Sequence, residues 1–327
     1  MNDNQFRFLH VSDLHLCQEA NRKNFLTLLE DPPSKYIDVG RSAWRYGPQA
    51  LINPTSYNGP TLAALSEFVY SRPGAYDAIL ISGDLATSGT AIDHAIAYSY
   101  VDADPVNKWR DSDNRPVLSQ SRTSVLVCPG NHDNYNGVSP RKPSNVHFVL
   151  KFGAKYLPRF REFVGHTILA GEDHALAIIY ADFGFQANQD ARNPIHLYGG
   201  GRVHSTVIGE MVARTVRFRT SNALPHRNRS VIWMIHFAPY DSGNWTLDLT
   251  DRHIVIDEAS RMGVKHILCG HTHEKNTFTQ KGVTVHCAGA ATAVDCANEI
   301  HEILYDASSH TVLKTDYKWS SDDGAFL

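Results

Sequence analysis

Positive charge is not in excess in this 327-residue chain: 31 Lys and Arg stand against 34 Asp and Glu, for a formal net charge of −3. No bulk basicity points to nucleic acid or to an anionic membrane surface as a partner. Long apolar runs are missing too. No stretch approaches the roughly 18 apolar residues of a spanning helix, so no membrane span is expected. Cysteine is sparse. Cys17, Cys128, Cys269, Cys287 and Cys296 are the only five, an odd number without CxxC spacing. That argues against a disulfide framework and for free thiols in a reducing compartment. The opening MNDNQFRFLHVSDLHL lacks the basic segment followed by an apolar one that marks a secretory leader, so a cytoplasmic location is expected. The chain shows no internal repeat, no low-complexity tract, no clear domain boundary and no GxSxG-type nucleophile motif.

What it has in quantity is histidine, 18 residues in all. Neutral imidazole is a common metal ligand. Hydrophobic residues make up 42% and charged ones 20%, which suits a globular chain with a sizeable core. Short apolar runs rich in β-branched residues recur at Phe6–Val11, Ala78–Ile81, Ser124–Val127, Leu176–Tyr180, Val231–Phe237, His266–Leu268 and Val283–Cys287, and read as buried strands. Helical patterns fall at Thr61–Tyr70, Ala91–Tyr100, Val203–Val216 and His253–Met262. Strands alternating with helices argue for an α/β fold with a mostly parallel core. Near the end, two alternating runs flank Ala307-Ser308-Ser309-His310 and predict a hairpin. Polar stretches at Glu30–Gly59, Asp102–Thr123 and Asn134–Asn145 read as surface loops or insertions.

Chemistry gathers where the strands end. Phe6–Val11 is followed by Ser12-Asp13-Leu14-His15. Ala78–Ile81 is followed by Ser82-Gly83-Asp84. Ser124–Val127 leads into Gly130-Asn131-His132-Asp133. Val231–Phe237 carries His236, and His266–Leu268 is followed by Gly270-His271-Thr272-His273. In open α/β sheets, ligands bind beyond the carboxyl ends of strands. Carboxylate, imidazole and amide donors together suit Mn, Fe or Zn. Asp13, His15, Asp84, Asn131, His236, His271 and His273 are too many for one ion, and fill two sites if one carboxylate bridges. Metals about 3.5–4 Å apart can clamp an in-line displacement at phosphorus, and can hold a water whose pKa falls from about 15.7 to about 7.

The ordered set Asp13-x-His15, Gly83-Asp84, Gly130-Asn131-His132-Asp133, His236 and Gly270-His271-x-His273 resembles the calcineurin-like metallophosphoesterase superfamily. Each block alone is weak; all five in order form a specific signal spanning most of the chain. The wording VSDLHL, SGDL, PGNHD and GHTH is closest to the branch with class III cyclic-nucleotide phosphodiesterases. The resemblance implies a four-layer α/β fold, a β-sandwich of two mixed sheets flanked by helices. It implies that Asp13, His15 and His273 bind one metal, that Asn131, His236 and His271 bind the other, and that Asp84 bridges them. His132 is then free to face the scissile phosphate and protonate the leaving oxygen, with Asp133 orienting from behind. The implied activity is attack of a metal-activated hydroxide on a small phosphodiester, a cyclic nucleotide or a relative. A phosphomonoesterase, a nuclease and a non-catalytic binding module are the alternatives; the acidic balance counts against nucleic acid. The expected organisation is one domain over 1–327 with insertions near 30–60, 102–123 and 134–230, the last a candidate substrate-selecting cap.

Several residues have a plainer reading. Asp13 and Asp84 could instead cap following helices. His226 is the rival of His236, which strand-end placement favours. His10 reads as a packed core histidine that could buttress a ligand. Arg214, Arg217, Arg219, Arg227 and Arg229 read as a solvated face rather than a phosphate contact. Tyr135 and Tyr240 read as packing rather than base-stacking groups. Gly130 is expected to let the backbone bend tightly.

Overall fold

The computed structural model describes residues 4–18, 56–101, 118, 123–135, 146–153, 164–184, 200–222, 228–243, 247–294 and 296–327. Most of the predicted insertions at 30–60 and 102–123, the loop after Tyr135, and His226 and Arg227 lie outside the described residues.

Two six-stranded mixed sheets form the centre. The first contains β1 (Gln5–Val11), β2 (Ala78–Ile81), β3 (Ser124–Val127), β12 (Glu299–Asp306), β13 (Thr311–Ser320) and β14 (Ala325–Phe326), in the order β14-β13-β12-β1-β2-β3. The second contains β4 (Val164–Ala170), β5 (His174–Ala181), β7 (Asn228–Ile235), β9 (His266–Cys269), β10 (Asn276–Gln280) and β11 (Val283–Cys287), in the order β10-β11-β9-β7-β5-β4. The short strands β6 (Gly201–Arg202) and β8 (Leu249–Thr250) pair separately. In the second sheet parallel pairs hold the middle and antiparallel strands flank them on both sides; in the first, the parallel strands β1, β2 and β3 form one side and the antiparallel strands the other. The mostly parallel core suggested by strand–helix alternation thus gives way to the mixed sandwich implied by the family resemblance.

The period-two alternation of strands divides their side chains between two cores. In β5, Leu176, Ile178 and Tyr180 join the cluster that includes Phe8, Ile79 and Leu126 of the first sheet. Their neighbours Ala177 and Ile179 join a second cluster with α3 (Ser205–Thr220) and α4 (His253–Arg261). In β7, Ile232 and Met234 join the first cluster while Val231, Trp233 and Ile235 join the second. Trp233 is fully buried, and its indole N–H donates to Thr215 Oγ1 of α3 at 3.1 Å. On the first sheet, α1 (Gly59–Tyr70) sets Phe68 4.8 Å from Tyr317 of β13, and α2 (Ala91–Val101) packs beside α1, with Tyr100 OH donating to Leu62 O. Two packed sheets with helices against each make the four layers.

The predicted hairpin is β12–β13, in antiparallel register from Glu299↔Lys318 to Asp306↔Thr311. Asp306 Oδ1 accepts the N–H groups of Ser308 and Ser309 at its turn. Within 134–230, β4 and β5 belong to the second sheet and α3 packs against it.

Candidate metal centre

Register aligns the strand ends that matter. Val11 pairs with Ile81, and Ile81 with Val127, so the segments that leave β1, β2 and β3 start side by side. Across the sandwich, Met234 pairs with Leu268, which puts His236 beside Gly270. The five candidate segments therefore leave the edges of both sheets, three from the first and two from the second, and meet at the seam. Backbone bonds tie neighbours together: Asp13 N–H donates to Gly83 O at 3.0 Å and His15 N–H to Asp84 O at 2.9 Å. The second sheet is fastened in the same way, with His271 N–H donating to Asp13 Oδ2 at 3.1 Å and His236 Nδ1 to Ser82 O at 2.8 Å.

These turns hold unusual backbone. Asp13, His15, Asp84, His271 and His273 all sit at positive φ, between 50° and 76°. Non-glycine residues rarely adopt that region, and such strain concentrates at functional sites. Two glycines explain themselves by close approach. A Cβ on Gly83 would fall 2.6 Å from His236 Cγ, and one on Gly130 would fall 2.8 Å from Asp84 Cγ. Gly130 does not have a positive φ; what its missing side chain provides is room for the Asp84 carboxylate just before the turn at Asn131.

Seven side chains converge. Asp13, His15 and His273 form one group whose ligand atoms lie within 4.8 Å of one another, and Asp84, His236 and His271 form another. Asp13 Oδ1 is 3.3 Å from His273 Nε2 and 3.8 Å from His15 Nε2. Asp84 Oδ2 is 3.3 Å from His236 Nε2 and 4.0 Å from His15 Nε2, so it faces both groups. Asn131 Oδ1 stands 3.0 Å from His236 Nε2. Its amide is set by Tyr135, whose hydroxyl accepts from Asn131 Nδ2 at 2.9 Å. A third group, His15, Asp84 and His132, overlaps these. His132 Nδ1 lies 2.6 Å from Thr87 O, which fixes the proton there, while Nε2 lies 3.9 Å from Asp84 Oδ2.

Asp133 touches no candidate ligand side chain among the described residues. It is buried, and its carboxylate accepts three backbone N–H groups, from Leu85, Ala86 and Gly130. It ties the turn carrying Asp84 to the turn carrying Asn131. Asp84 caps no following helix, because α2 begins only at Ala91; its Oδ1 accepts His132 N–H instead. His10 donates to or accepts from Ser82 Oγ at 2.9 Å and reaches no ligand side chain. The four described arginines of the cluster are occupied locally: Arg214 and Arg217 pair with Glu210, Arg219 binds Met262 O and Gly263 O, and Arg229 binds Phe218 O and Arg219 O. Tyr240 packs on Phe278 at 5.2 Å.

Residues that the sequence did not point to complete the site. Asp182, just past β5, accepts Asn134 Nδ2 at 3.1 and 3.2 Å. Thr87 O holds His132, and Cys296 Sγ lies 3.3 Å from His273 Nδ1. A carboxylate just past a buried strand was a readable signal for Asp182; the others had none.

The buried charges test whether metal ions fit. Burial opposes ionisation of Asp13, but His273 and then His236 outweigh it and hold the carboxyl well below its usual range. Asp84 is likewise held down, mainly by His236 and His132 against burial. The positive charge comes from two imidazoles. Burial pulls His236 down, yet Asp84 pushes it up to about 9, and Asp13 raises His273 in the same way. Burial, helped by His132 and His236 respectively, pushes His15 and His271 down to about 3, so they remain neutral. Asp13 Oδ1, which faces His15 and His273, is buried with no hydrogen-bond partner among the described residues. Two buried carboxylates, converging imidazole nitrogens and this orphaned oxygen fit a pair of cations in place of the two protons.

This geometry agrees with comparison to known proteins. The profile of the calcineurin-like phosphoesterases matches residues 6–275. The chain belongs to that family, whose metal-dependent phosphoric ester hydrolase chemistry the two clusters support. Among solved structures, a dimetal phosphatase from Danio rerio aligns with a TM-score of 0.56 at 10% identity, covering 91% of this chain and 92% of that one. GAP50, the anchor in the inner membrane complex of Plasmodium, aligns with a TM-score of 0.50 at 10% identity, covering 97% and 89%. At such identities the likeness concerns the fold. Comparison with curated protein sequences returns no match. No helix among the described residues is long and apolar enough to cross a membrane.

Proposed function

We propose that this chain is a two-metal phosphodiesterase acting on a small phosphorylated substrate, a cyclic nucleotide or a related diester. One observation carries the reading: two ligand groups lie side by side at the seam, each drawing side chains from both sheets, with Asp84 reaching toward both. Asp13, His15 and His273 would hold one ion, Asn131, His236 and His271 the other, and Asp84 would join them. The mixed nitrogen and oxygen donors accept Mn, Fe or Zn. When bound, the ions supply an acidified water and positive charge for the phosphoryl oxygens.

The chain's own groups do the rest. His132 keeps one ring proton on Thr87 O, which leaves Nε2 directed toward the seam. As the imidazolium, with Nε2 protonated as well, it would hydrogen-bond a phosphoryl oxygen through Nε2–H and give that proton to the departing alkoxide, reverting to the neutral ring. Asn131 contributes a neutral oxygen, so the site gains no further negative charge to repel phosphate. Asp133 and Tyr135 hold the geometry without touching substrate.

The test is a panel on Mn-loaded protein: cyclic nucleotides, dinucleotides, glycerophosphodiesters and phosphomonoesters. A diester should turn over fastest. Phosphomonoester hydrolysis is the second reading, favoured by the description of the Danio rerio neighbour as a dimetal phosphatase; a monoester leading the panel would select it. Fully metallated protein that cleaves nothing removes the enzyme reading.

A further inference from the structure

The imidazoles of the centre differ in what holds their second nitrogen. A metal-ligating histidine normally donates its other ring N–H to a carboxylate, a carbonyl or water, which sets the tautomer and the ring direction. His236 has Ser82 O at 2.8 Å for this purpose. His15 Nδ1 and His271 Nε2 are buried without hydrogen-bond partners among the described residues, so no such bond within these residues orients those two rings. His273 is the open case. Its side chain is 27% exposed, against 0% for His15 and 1% for His236, so packing restrains it least. The group that meets its Nδ1 is a thiol, Cys296 Sγ, at 3.3 Å.

The segment carrying that thiol is fastened close to it. Thr292 Oγ1 donates to Leu14 O at 2.7 Å, next to His15. Val294 N–H donates to Ser56 O at 2.8 Å, and Asn298 Nδ2 donates to Ala293 O at 2.9 Å. Ala290 N–H donates to the carbonyl of His273 itself at 3.4 Å. Cys296 is also the one cysteine of five that is not buried, so core packing does not account for its place.

We propose that Cys296 is a positioning residue for the metal centre: its sulfur accepts the His273 Nδ1 proton and keeps Nε2 aimed at Asp13 and His15. The proposal rests on the two-metal reading above. It assigns the thiol to one of the two ions only, the one held by Asp13, His15 and His273, since the other group draws its orientation from Ser82, Asn131 and Tyr135.

Calorimetric Mn²⁺ titration of the metal-free full chain tests this, with Cys296→Ala, Cys296→Ser and the parent compared. In Cys296→Ala one of two binding steps should weaken by about 10–100-fold, the usual effect of losing such a partner, with the other unchanged. Cys296→Ser, whose hydroxyl oxygen can still accept, should recover most of the loss. In Zn-loaded protein, the downfield imidazole N–H resonance that disappears in His273→Gln should shift in Cys296→Ala. Thermal unfolding of the metal-free proteins should be alike, which separates positioning from a packing role. Two unchanged binding steps in Cys296→Ala overturn the proposal while leaving the two-metal reading intact. Equal weakening of both steps, or no recovery with Ser, also overturns it. A parent that binds no metal overturns both.

Discussion

His236 Nε2 stands 3.3 Å from Asp84 Oδ2 across the seam between the two sheets. The pair joins a strand end of the second sheet to one of the first, and Gly83 lacks the Cβ that would block the approach. Asp84 Oδ1 meanwhile accepts His132 N–H at 2.9 Å. One carboxylate thus faces both ligand groups and also fixes the segment that carries the proposed proton donor. Asp84→Ala should lose metal from the two-ion complement and lower turnover by at least about 10²-fold, the scale for removing one preorganised electrostatic element. Metal content by elemental analysis beside diester hydrolysis checks it; a variant with both ions and parental turnover would refute the bridging role.

His132 and Asn131 are neighbours with separable duties. His132 belongs to neither of the two proposed ion sites and is anchored through Nδ1 to Thr87 O. His132→Ala should therefore retain both ions while kcat falls on the order of 10²–10⁴-fold, the range for a general acid. Asn131→Ala should do the reverse first, weakening one of two Mn²⁺ binding steps. If His132→Ala instead sheds a metal ion, the division between the two residues is wrong.

Asp133 is a structural counterpart to these. Its buried carboxylate accepts from Gly130, Leu85 and Ala86 at 2.9–3.1 Å. Asn at this position would point an NH₂ group at one or more of those N–H donors, leaving a buried donor unpaired. Asp133→Asn should cost about 1–3 kcal/mol of folding stability. The urea midpoint should fall at unchanged slope, even in metal-free protein. A variant as stable as the parent would show that the three N–H groups have other partners.

The motif residues were legible because each sits within a few positions of a buried apolar run, where strand-end placement and donor chemistry can be read together. The sandwich itself was not legible from alternation of strands and helices, which suggested a parallel sheet; it came with the family resemblance. Strands β4 and β10 escaped notice because they are edge strands. Asn276-Thr277-Phe278-Thr279-Gln280 is nearly all exposed and carries no apolar alternation. Cys296, Tyr135 as the Asn131 anchor, and Thr87 act through contacts that the fold alone creates, Cys296 being 23 residues from His273. The run of left-handed residues at Asp13, His15, Asp84, His271 and His273 has no mark in the sequence beyond the tolerance of Asp for that region and the enrichment of His there.

Proton binding by the empty centre makes stability depend on pH in a way that metal should remove. Asp84 raises His236 from its ordinary 6.5 to about 9 in the folded metal-free chain, against the pull of burial. A raised pKa means that the folded form holds the proton more tightly than the unfolded one. This contribution is complete below about pH 6.5 and is lost as pH rises through about 9. His273, raised by Asp13 against burial, acts in the same direction. Toward acid the balance reverses. His10, His15, His94, His271 and His286 are all lowered, mainly by burial, so the fold keeps them neutral and loses stability as pH drops below about 6.5. Asp133, raised by burial and by Asp84, opposes that acid loss as a single group against five. Metal-free protein should therefore be most stable near pH 6.5, with urea midpoints falling on both sides. In Mn-loaded protein His236 and His273 give their lone pairs to the ions and carry no excess proton, so the alkaline decline should flatten while acid now also expels metal. Urea midpoints at about pH 5, 6.5 and 9, with and without Mn²⁺, decide it: an alkaline decline of equal depth in both forms would mean that these imidazoles do not exchange protons for metal.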